Sequence, residues 1–136
     1  MKVFVDTNIF IDILLNREPF STDAIRIYKL CEQGLVDGYI APITVNNIYY
    51  ICRKAKNLER IKAYLADISR FFTIAPMDSE SIIKANTLRM NDYEDSLQYA
   101  MAMQMTCEYL VTRNVKDFKH IQHLKVVTPE AFLRVL

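Results

Sequence analysis

The sequence predicts an α/β protein, a three-layer α/β/α sandwich around a mainly parallel sheet of about five strands. Short apolar runs alternate with helix-like segments along all 136 residues, which is typical of a parallel sheet covered by helices on both faces. The apolar runs show little polar alternation, as expected for strands that are buried on both sides. The chain has only two glycines and four prolines, so we expect short loops and a single domain over residues 1–136.

Five segments fit the strands of this sheet. Each is a short run of mainly apolar residues next to a turn signal or a helix-capping signal. The predicted strands are residues 2–5, 38–41, 71–75, 109–112 and 125–127.

Seven segments fit helices, because they begin near capping residues and carry apolar side chains at helical spacing. They are residues 9–15, Ser21 or Thr22 to Gly34, Thr44 to about Lys54, Asn57 to about Ser69, Asp78 to about Met90, 92–107, and a last helix that Thr128 caps and Pro129 opens. The methionine-rich stretch "YAMAMQM" within the sixth helix is expected to pack in the core or against a second subunit.

The composition argues against several classes of protein. The formal net charge is +1, so binding to nucleic acid would need a local basic patch. No stretch approaches the ~18 apolar residues of a membrane span, and Asp6 and Asn8 interrupt the first apolar run, unlike a secretion signal. The cysteines Cys31, Cys52 and Cys107 are odd in number and widely spaced, so we expect free thiols in a reducing, cytoplasmic setting.

Acidic residues follow two of the predicted strands. Asp6 comes directly after the first strand, and Asp117 lies a few residues after the fourth. In a parallel sheet the carboxyl ends of the strands share one edge, and ligands bind there at the point where strand order reverses. We therefore expect Asp6 and Asp117 to lie at one site, with Thr112 and Asn114 beside them.

The predicted helix 92–107 contributes further acids. Asp92 and Asp95 are three residues apart in its first turn, so they share a face, whereas Glu94 is expected to point elsewhere. Clustered carboxylates repel one another unless a cation lies between them. Mg²⁺ prefers oxygen ligands, and such a metal can activate water for phosphodiester hydrolysis. Asp6, Asp95 and Asp117 are therefore expected to converge on one pocket that holds Mg²⁺ or Mn²⁺. Each acid also has a simpler explanation, as a helix cap, a first-turn residue or part of a surface turn.

Four blocks of the sequence resemble the PIN-domain family, in its branch of bacterial toxin-like (VapC-like) proteins. They are "VDTNIFIDIL", "ITVNNIYYICRKAK", "DYEDSLQYAMA" and "YLVTRNVKDF". The blocks occur in the family's order and together span nearly the whole chain. The resemblance implies the α/β/α fold and a Mg²⁺- or Mn²⁺-dependent endoribonuclease, often the toxin of a type II toxin–antitoxin pair and commonly a homodimer.

The resemblance also implies roles for individual residues. Asp6 corresponds to the family's first acid and Asp95 to its third, so these two are expected to bind the metal. Asp92 is an extra carboxylate found in this branch, and it is expected to support them together with Asp117. Many members carry an acid at the position of Asn114. We expect Asp117 to take the role of that acid in this chain.

One position departs from the family's pattern. The helix after the second strand usually carries a glutamate three residues beyond its capping threonine, but Asn47 stands three residues after Thr44. An amide cannot match a carboxylate as a Mg²⁺ ligand, so we expect weaker metal binding. With the acids in place, Asn8, Asn47 and Thr112 are expected to orient waters or ligands.

Basic and aromatic residues suggest an RNA surface. Arg53, Lys54 and Lys56 could contact RNA phosphates, with Arg60 and Lys62 nearby in the sequence, although a solvated helix face is the more common explanation for such residues. Tyr49 and Tyr50 could stack on a base, but we expect at least one of them in the core. His120 and His123 have metal-like spacing without a third ligand, so we expect them on the surface.

Two other functions remain open at this point. A degenerate PIN domain would keep the fold and bind RNA or a protein without cutting, and Asn47 favours that alternative. A flavodoxin-like regulatory domain also has acids at the sheet edge, but it would need a lysine at the end of its last strand, whereas Lys125 precedes "VVT".

Overall fold

The computed structural model describes residues 1–118 and 123–136, in which five parallel strands form one sheet. The sheet order is β3-β2-β1-β4-β5, and every neighbouring pair of strands is parallel. The strands are β1 (Lys2–Val5), β2 (Asp37–Ile40), β3 (Thr73–Ile74), β4 (Tyr109–Val111) and β5 (Lys125–Val127). The chain runs from β1 outward to β3 and then crosses to β4, so strand order reverses between β1 and β4.

Helices cover both faces of the sheet. They are α1 (Thr7–Leu14), α2 (Phe20–Glu32), α3 (Pro42–Cys52), α4 (Leu58–Phe71), α5 (Ser79–Thr87), α6 (Tyr93–Gln104) and α7 (Pro129–Arg134). A 3-10 helix, Val115–Phe118, follows β4. No helix in the described part of the chain is long and apolar enough to cross a membrane.

Two apolar clusters form the core, one on each side of the sheet. Val3 and Val5 of β1 belong to the cluster under α1, α2, α3, α4 and α7. Phe4 points the other way and belongs to the cluster under α5 and α6, with the buried Met101. This alternation follows from the two-residue period of a strand. The predicted three-layer α/β/α sandwich with a five-stranded sheet is confirmed.

Several predicted boundaries are wrong. The strand predicted at 71–75 is only Thr73–Ile74, because α4 continues through Phe71. The helix predicted to begin with Ser21 or Thr22 as its cap begins at Phe20. Thr44 does not cap α3, which begins at Pro42 after the N-cap residue Ala41. A proline suits the first helical position because its missing N–H is not needed there.

The other predicted caps are confirmed. The Asn57 side chain accepts from the Arg60 N–H at 2.8 Å, and Asp78 forms a capping box with Ser81 at the start of α5. Thr128 accepts from the Ala131 N–H at 3.1 Å. These caps satisfy N–H groups that have no partner within the helix.

Candidate active site

Asp6 lies at the carboxyl end of β1, where strand order reverses. Its side chain is 4% exposed and makes no capping hydrogen bond to α1, so capping does not explain its burial. Oδ1 accepts from Gln98 Nε2 at 3.0 Å, and Oδ2 accepts from Thr112 Oγ1 at 2.8 Å. Burial raises the pKa of Asp6 above its ordinary value, although these two hydrogen bonds oppose the shift.

Thr112 connects Asp6 to the loop after β4. Its hydroxyl donates to Asp6 and accepts from the Asn114 N–H at 3.1 Å. Because Thr112 is fully buried, its hydroxyl proton has a fixed target. The threonine therefore sets both the orientation of the Asp6 carboxylate and the path of the loop that carries Asn114.

Asp92 and Asp95 lie at the start of α6 and have different roles. Asp92 is the N-cap residue, and its carboxylate accepts from the Asp95 N–H at 3.0 Å. The simpler explanation as a cap therefore accounts for Asp92. Asp95 is half-buried, and burial raises its pKa to about 7, with further contributions from the charges of Asp92, Asp6, Asp117 and Glu94 in that order.

Glu94 also faces this site, and the prediction that it points elsewhere is wrong. Its Oε1 accepts from Thr7 Oγ1 at 3.3 Å. Burial and the charge of Asp6 raise its pKa, while the nearby Asn47 side chain and the hydrogen bond from Thr7 oppose that shift. The N-terminal end of α6 faces the site, and side chains of a helix lean toward its N-terminal end. Two adjacent positions, Glu94 and Asp95, can therefore both reach the site.

The neutral residues of the site come from α1 and α3. Thr7 and Thr44 are both buried, and their hydroxyl oxygens lie 2.9 Å apart. Asn47 is half-buried one turn further along α3, and Asn8 is half-buried in the first turn of α1. Thr7, which sequence reasoning did not single out, thus connects α1, α3 and α6 at one point.

Asn114 and Asp117 lie at the outer side of the site. Both are exposed, and the Asp117 N–H donates to the Asn114 carbonyl at 3.0 Å. Asp117 lies close enough for its charge to raise the pKa of Asp95. The 3-10 helix therefore brings Asp117 to the acidic group without burying it.

The donor set suits a hard divalent cation that keeps part of its water shell. Among the described residues, no group of three His, Cys, Asp or Glu side chains is already arranged to hold a metal ion. Mg²⁺ commonly uses only one or two carboxylates together with waters and substrate phosphates. Gln98 Oε1 is buried without a hydrogen-bond partner, and it belongs to the amide that binds Asp6. These residues therefore suit an open cation site, with one or two carboxylates and water, better than a closed cage of protein ligands.

Two residues that sequence reasoning missed support the site. Gln98 is 1% exposed and lies three residues after Asp95, so the helical period could have placed it on the same face. Arg113 donates to the fully buried Asp12 at 2.7 Å from Nε and 3.1 Å from Nη2. This ion pair ties the loop after β4 to α1, but no short-range pattern in the sequence indicates it.

The predicted RNA-contacting residues do not join the acidic group. Helix α3 begins at the carboxyl edge of the sheet and its 11 residues carry the chain roughly 16 Å away. Arg53, Lys54 and Lys56 follow its last turn. The Arg53 guanidinium lies over the Tyr50 ring, 3.8 Å from its centroid.

Tyr49 and Tyr50 are 39% and 60% exposed, so the prediction that one packs in the core is wrong. The apolar stripe of α3 instead runs through Ile48 and Cys52, both fully buried. His123 is exposed as predicted, and His120 lies outside the described residues. The three cysteines are free and buried, as expected.

Stability of the metal-free protein should fall as pH rises through the titration of Asp95. Its pKa in the folded state, about 7, exceeds the ordinary value of 3.8, so the folded protein holds this proton more tightly than the unfolded chain does. The resulting stabilisation is complete below about pH 4 and is lost as pH approaches 7. Urea unfolding in EDTA should show this decline, and Asp95→Asn should flatten it. Equal slopes for the two proteins would contradict the assignment.

A sequence profile described as the PIN domain matches residues 2–116. The chain belongs to the PIN domain family. The protein named Ribonuclease VapC1 from Aquifex aeolicus (strain VF5) is 28% identical over 136 residues, covering 96% of this chain and 92% of that protein. The predicted family is thereby confirmed.

Chains in several solved structures have the same fold. A toxin–antitoxin complex from Klebsiella pneumoniae contains a chain that is 27% identical, with a TM-score of 0.68 over 93% of this chain and 97% of that one. The structure of VapBC2 from Rickettsia felis, bound to a promoter DNA fragment, contains a chain that is 20% identical. Its TM-score is 0.69, over 93% of this chain and 97% of that one. The flavodoxin-like alternative is wrong, because flavodoxin-like sheets have the order 2-1-3-4-5 and Lys125 begins the last strand.

Proposed function

We propose that this PIN domain is a Mg²⁺- or Mn²⁺-dependent endoribonuclease and the toxin of a type II toxin–antitoxin pair. The observation that carries the proposal is the convergence of Asp6, Glu94, Asp95 and Asp117 beside the switch between β1 and β4, where their charges act on one another. Two relatives support it, one named a ribonuclease and one solved as a toxin–antitoxin complex.

The residues have distinct tasks in this proposal. Asp6 and Asp95 hold the metal, which when bound supplies a water of lowered pKa and positive charge for the phosphate. Thr112 and Gln98 fix the Asp6 carboxylate through its two hydrogen bonds. Asp117, at the exposed side, adds negative charge that favours the cation.

Arg53, Lys54 and Lys56 contribute a separate contact in the same proposal. They lie beyond the end of α3, so they would bind RNA phosphates at a distance from the cleavage site. Charge-removing variants there should weaken RNA binding and its salt dependence without changing metal binding.

Cleavage of RNA in the presence and absence of metal tests the activity. We expect the protein to cut short single-stranded or hairpin RNA with Mn²⁺ or Mg²⁺, and to leave both intact in EDTA. Internal cuts, separated from end-trimming by labelling each RNA end, would identify an endonuclease. RNA that is bound but never cut with Mn²⁺ present would instead support the degenerate, RNA-binding PIN domain.

The proposal includes partners and location. A toxin of this kind would act in the cytoplasm, be neutralised by a cognate antitoxin protein, and be encoded beside it. The three free, buried thiols suit a reducing compartment. Co-expression with the product of an adjacent small reading frame should restore growth that the protein alone arrests.

A homodimer is also expected. Large apolar side chains are exposed on two helices, with Tyr50 at 60% and Ile51 at 45% on α3 and Ile83 at 65% on α5. A contiguous patch of such side chains on either helix would suit a surface that binds another protein. Light scattering during size-exclusion chromatography should give twice the mass of the 15.9 kDa chain. A monomer at high concentration would contradict this expectation.

A further inference from the structure

A cavity of about 310 Å³ lies between the starts of α2 and α7, apart from the acidic residues. Two of its lining residues, Arg113 after β4 and Thr128 after β5, place it at the carboxyl edge of the sheet. Arg113 directly follows Thr112, whose hydroxyl donates to Asp6. The cavity is therefore a neighbour of the acidic site, and its size falls within the range of about 300–1,000 Å³ that is usual for ligand pockets.

The lining of this cavity includes flat apolar surfaces. Pro19, Phe20 and Pro129 supply them, and Phe20 is 43% exposed. The Arg113 guanidinium lies over the Phe20 ring, with its carbon 4.1 Å from the ring centroid. Aromatic rings and guanidinium planes are the surfaces on which unpaired RNA bases stack. The cavity thus suits a flat ring system.

The polar groups of the lining favour a ligand with N–H groups. Asp23 and Glu130 contribute carboxylates, which only accept hydrogen bonds. Each carboxylate pairs with an arginine one turn further along its own helix, so a neutral ligand leaves no charge there unbalanced. Arg113 uses Nε and Nη2 to bind Asp12, and its third nitrogen, Nη1, can donate to an acceptor on the ligand.

Guanine matches this set of donors and acceptors better than the other three RNA bases. Along one edge it presents N1–H and the N2 amino group, which carboxylates accept, next to O6, which a guanidinium can bind. Uracil presents one N–H between two carbonyl oxygens. Adenine and cytosine each present an amino group beside a ring nitrogen whose lone pair a carboxylate repels.

We propose that this cavity binds one unpaired guanine of the RNA, with the base against Phe20 and Arg113 and its N–H groups on Asp23 and Glu130. This inference rests on the proposed function, and it names the base that the nuclease selects beside its cutting site. A strand held at the cavity by one base would pass Asp6, because both lie at the same edge of the sheet.

Binding of short RNAs in EDTA tests the cavity without cleavage. The probes are the fluorescein-labelled RNAs UUGUU, UUAUU, UUCUU and UUUUU, and fluorescence anisotropy measures their affinities for the full chain. We expect UUGUU to bind about tenfold or more tightly than the other three. Equal affinities for the four RNAs, or no binding by any of them, would overturn the proposal.

Removal of the two carboxylates should remove the preference for guanine. In the variant that combines Asp23→Ala with Glu130→Ala, we expect the affinity for UUGUU to equal that for UUAUU. The matched control combines Glu59→Ala with Glu80→Ala, which removes the same charge from exposed positions in the first turns of α4 and α5. The control should keep the preference. A preference for guanine that survives in the first variant would overturn the proposal.

Phe20→Ala tests the stacking surface separately. Stacking on a ring is available to every base, so we expect this variant to weaken binding of all four RNAs. Unchanged affinity for UUGUU in Phe20→Ala would contradict the placement of the base.

Two comparisons separate the cavity from its alternatives. Tighter binding of the peptide acetyl-Gly-Arg-Gly-amide than of UUGUU would overturn the proposal and assign the cavity to a basic protein segment. Cleavage of RNA with Mn²⁺ but without selection of guanine near the cut would overturn the role of the cavity and leave the proposed nuclease intact. Guanine-selective binding without any cleavage would support the cavity and remove only the nuclease.

Discussion

Asp6→Asn is expected to abolish both RNA cleavage and stabilisation by Mn²⁺, without loss of metal-free stability. Asp6 is almost fully buried, and burial raises its pKa, so its charge opposes folding at neutral pH unless a cation is bound. Asparagine keeps the shape and can still accept from Gln98, and removal of the buried charge offsets the loss of the hydrogen bond that Thr112 donates to the second oxygen. The melting temperature in EDTA should therefore equal or exceed that of the unsubstituted protein.

The stabilisation that Mn²⁺ gives to the folded protein sets the size of the expected loss in Asp6→Asn. A ligand at one hundred times its dissociation constant stabilises the folded state by about 2.7 kcal/mol, and this whole increment should be absent in Asp6→Asn. Asp37→Asn is the control, because Asp37 is exposed at the first residue of β2, at the opposite edge of the sheet. A metal response that survives in Asp6→Asn would exclude Asp6 as a ligand.

Arg113→Met should destabilise the protein by about 3 kcal/mol, because it leaves Asp12 buried with a weaker partner. Asp12 is fully buried, and Arg113 binds both of its oxygens. The remaining partner, Arg17, lies at 3.7 Å. Urea denaturation measures the change, and Arg26→Met, which breaks the exposed pair with Asp23, should cost about 1 kcal/mol or less.

A second substitution tests whether the loss comes from the unpaired charge. Asp12→Leu combined with Arg113→Met replaces the pair with apolar side chains, and such replacements are often neutral or stabilising. The double variant should therefore regain most of the lost stability. If it is as unstable as Arg113→Met alone, lost packing of Arg113 against the Phe20 ring, 4.1 Å from its guanidinium carbon, is the better explanation.

The sequence predicts the features that depend on short-range patterns. The apolar runs of β1 and β4, the caps at Asn57, Asp78 and Thr128, and the parallel arrangement all follow from local composition and alternation. The prediction of a strand at 71–75 is mostly wrong. Phe71 fits both an apolar strand and the apolar stripe of α4, so the strand pattern and the helix pattern compete for the same residues.

For the site, the sequence predicts a set of acids near one edge of the sheet, but not which side chains contact one another. The Gln98–Asp6 hydrogen bond joins residues 92 positions apart, and the Thr7–Glu94 hydrogen bond joins residues 87 apart. Which side chains meet across such separations depends on how α1, α3 and α6 pack. Glu94 is an example. Adjacent residues of a helix point in different directions, so the sequence separates Glu94 from Asp95, but the N-terminal end of α6 faces the site and both side chains reach it.

The contact between Thr7 and Thr44 gives the site a directional chain of hydroxyl groups. Each threonine has a single hydroxyl proton, and the proton of Thr7 is directed to Glu94. Thr44 must therefore donate to Thr7, so the chain runs from α3 through α1 to the carboxylate. A proton arriving on Glu94 would make that oxygen a donor and allow both hydroxyl groups to turn round. A change in the ionisation of the half-buried Glu94 would thus reach a fully buried hydroxyl on another helix.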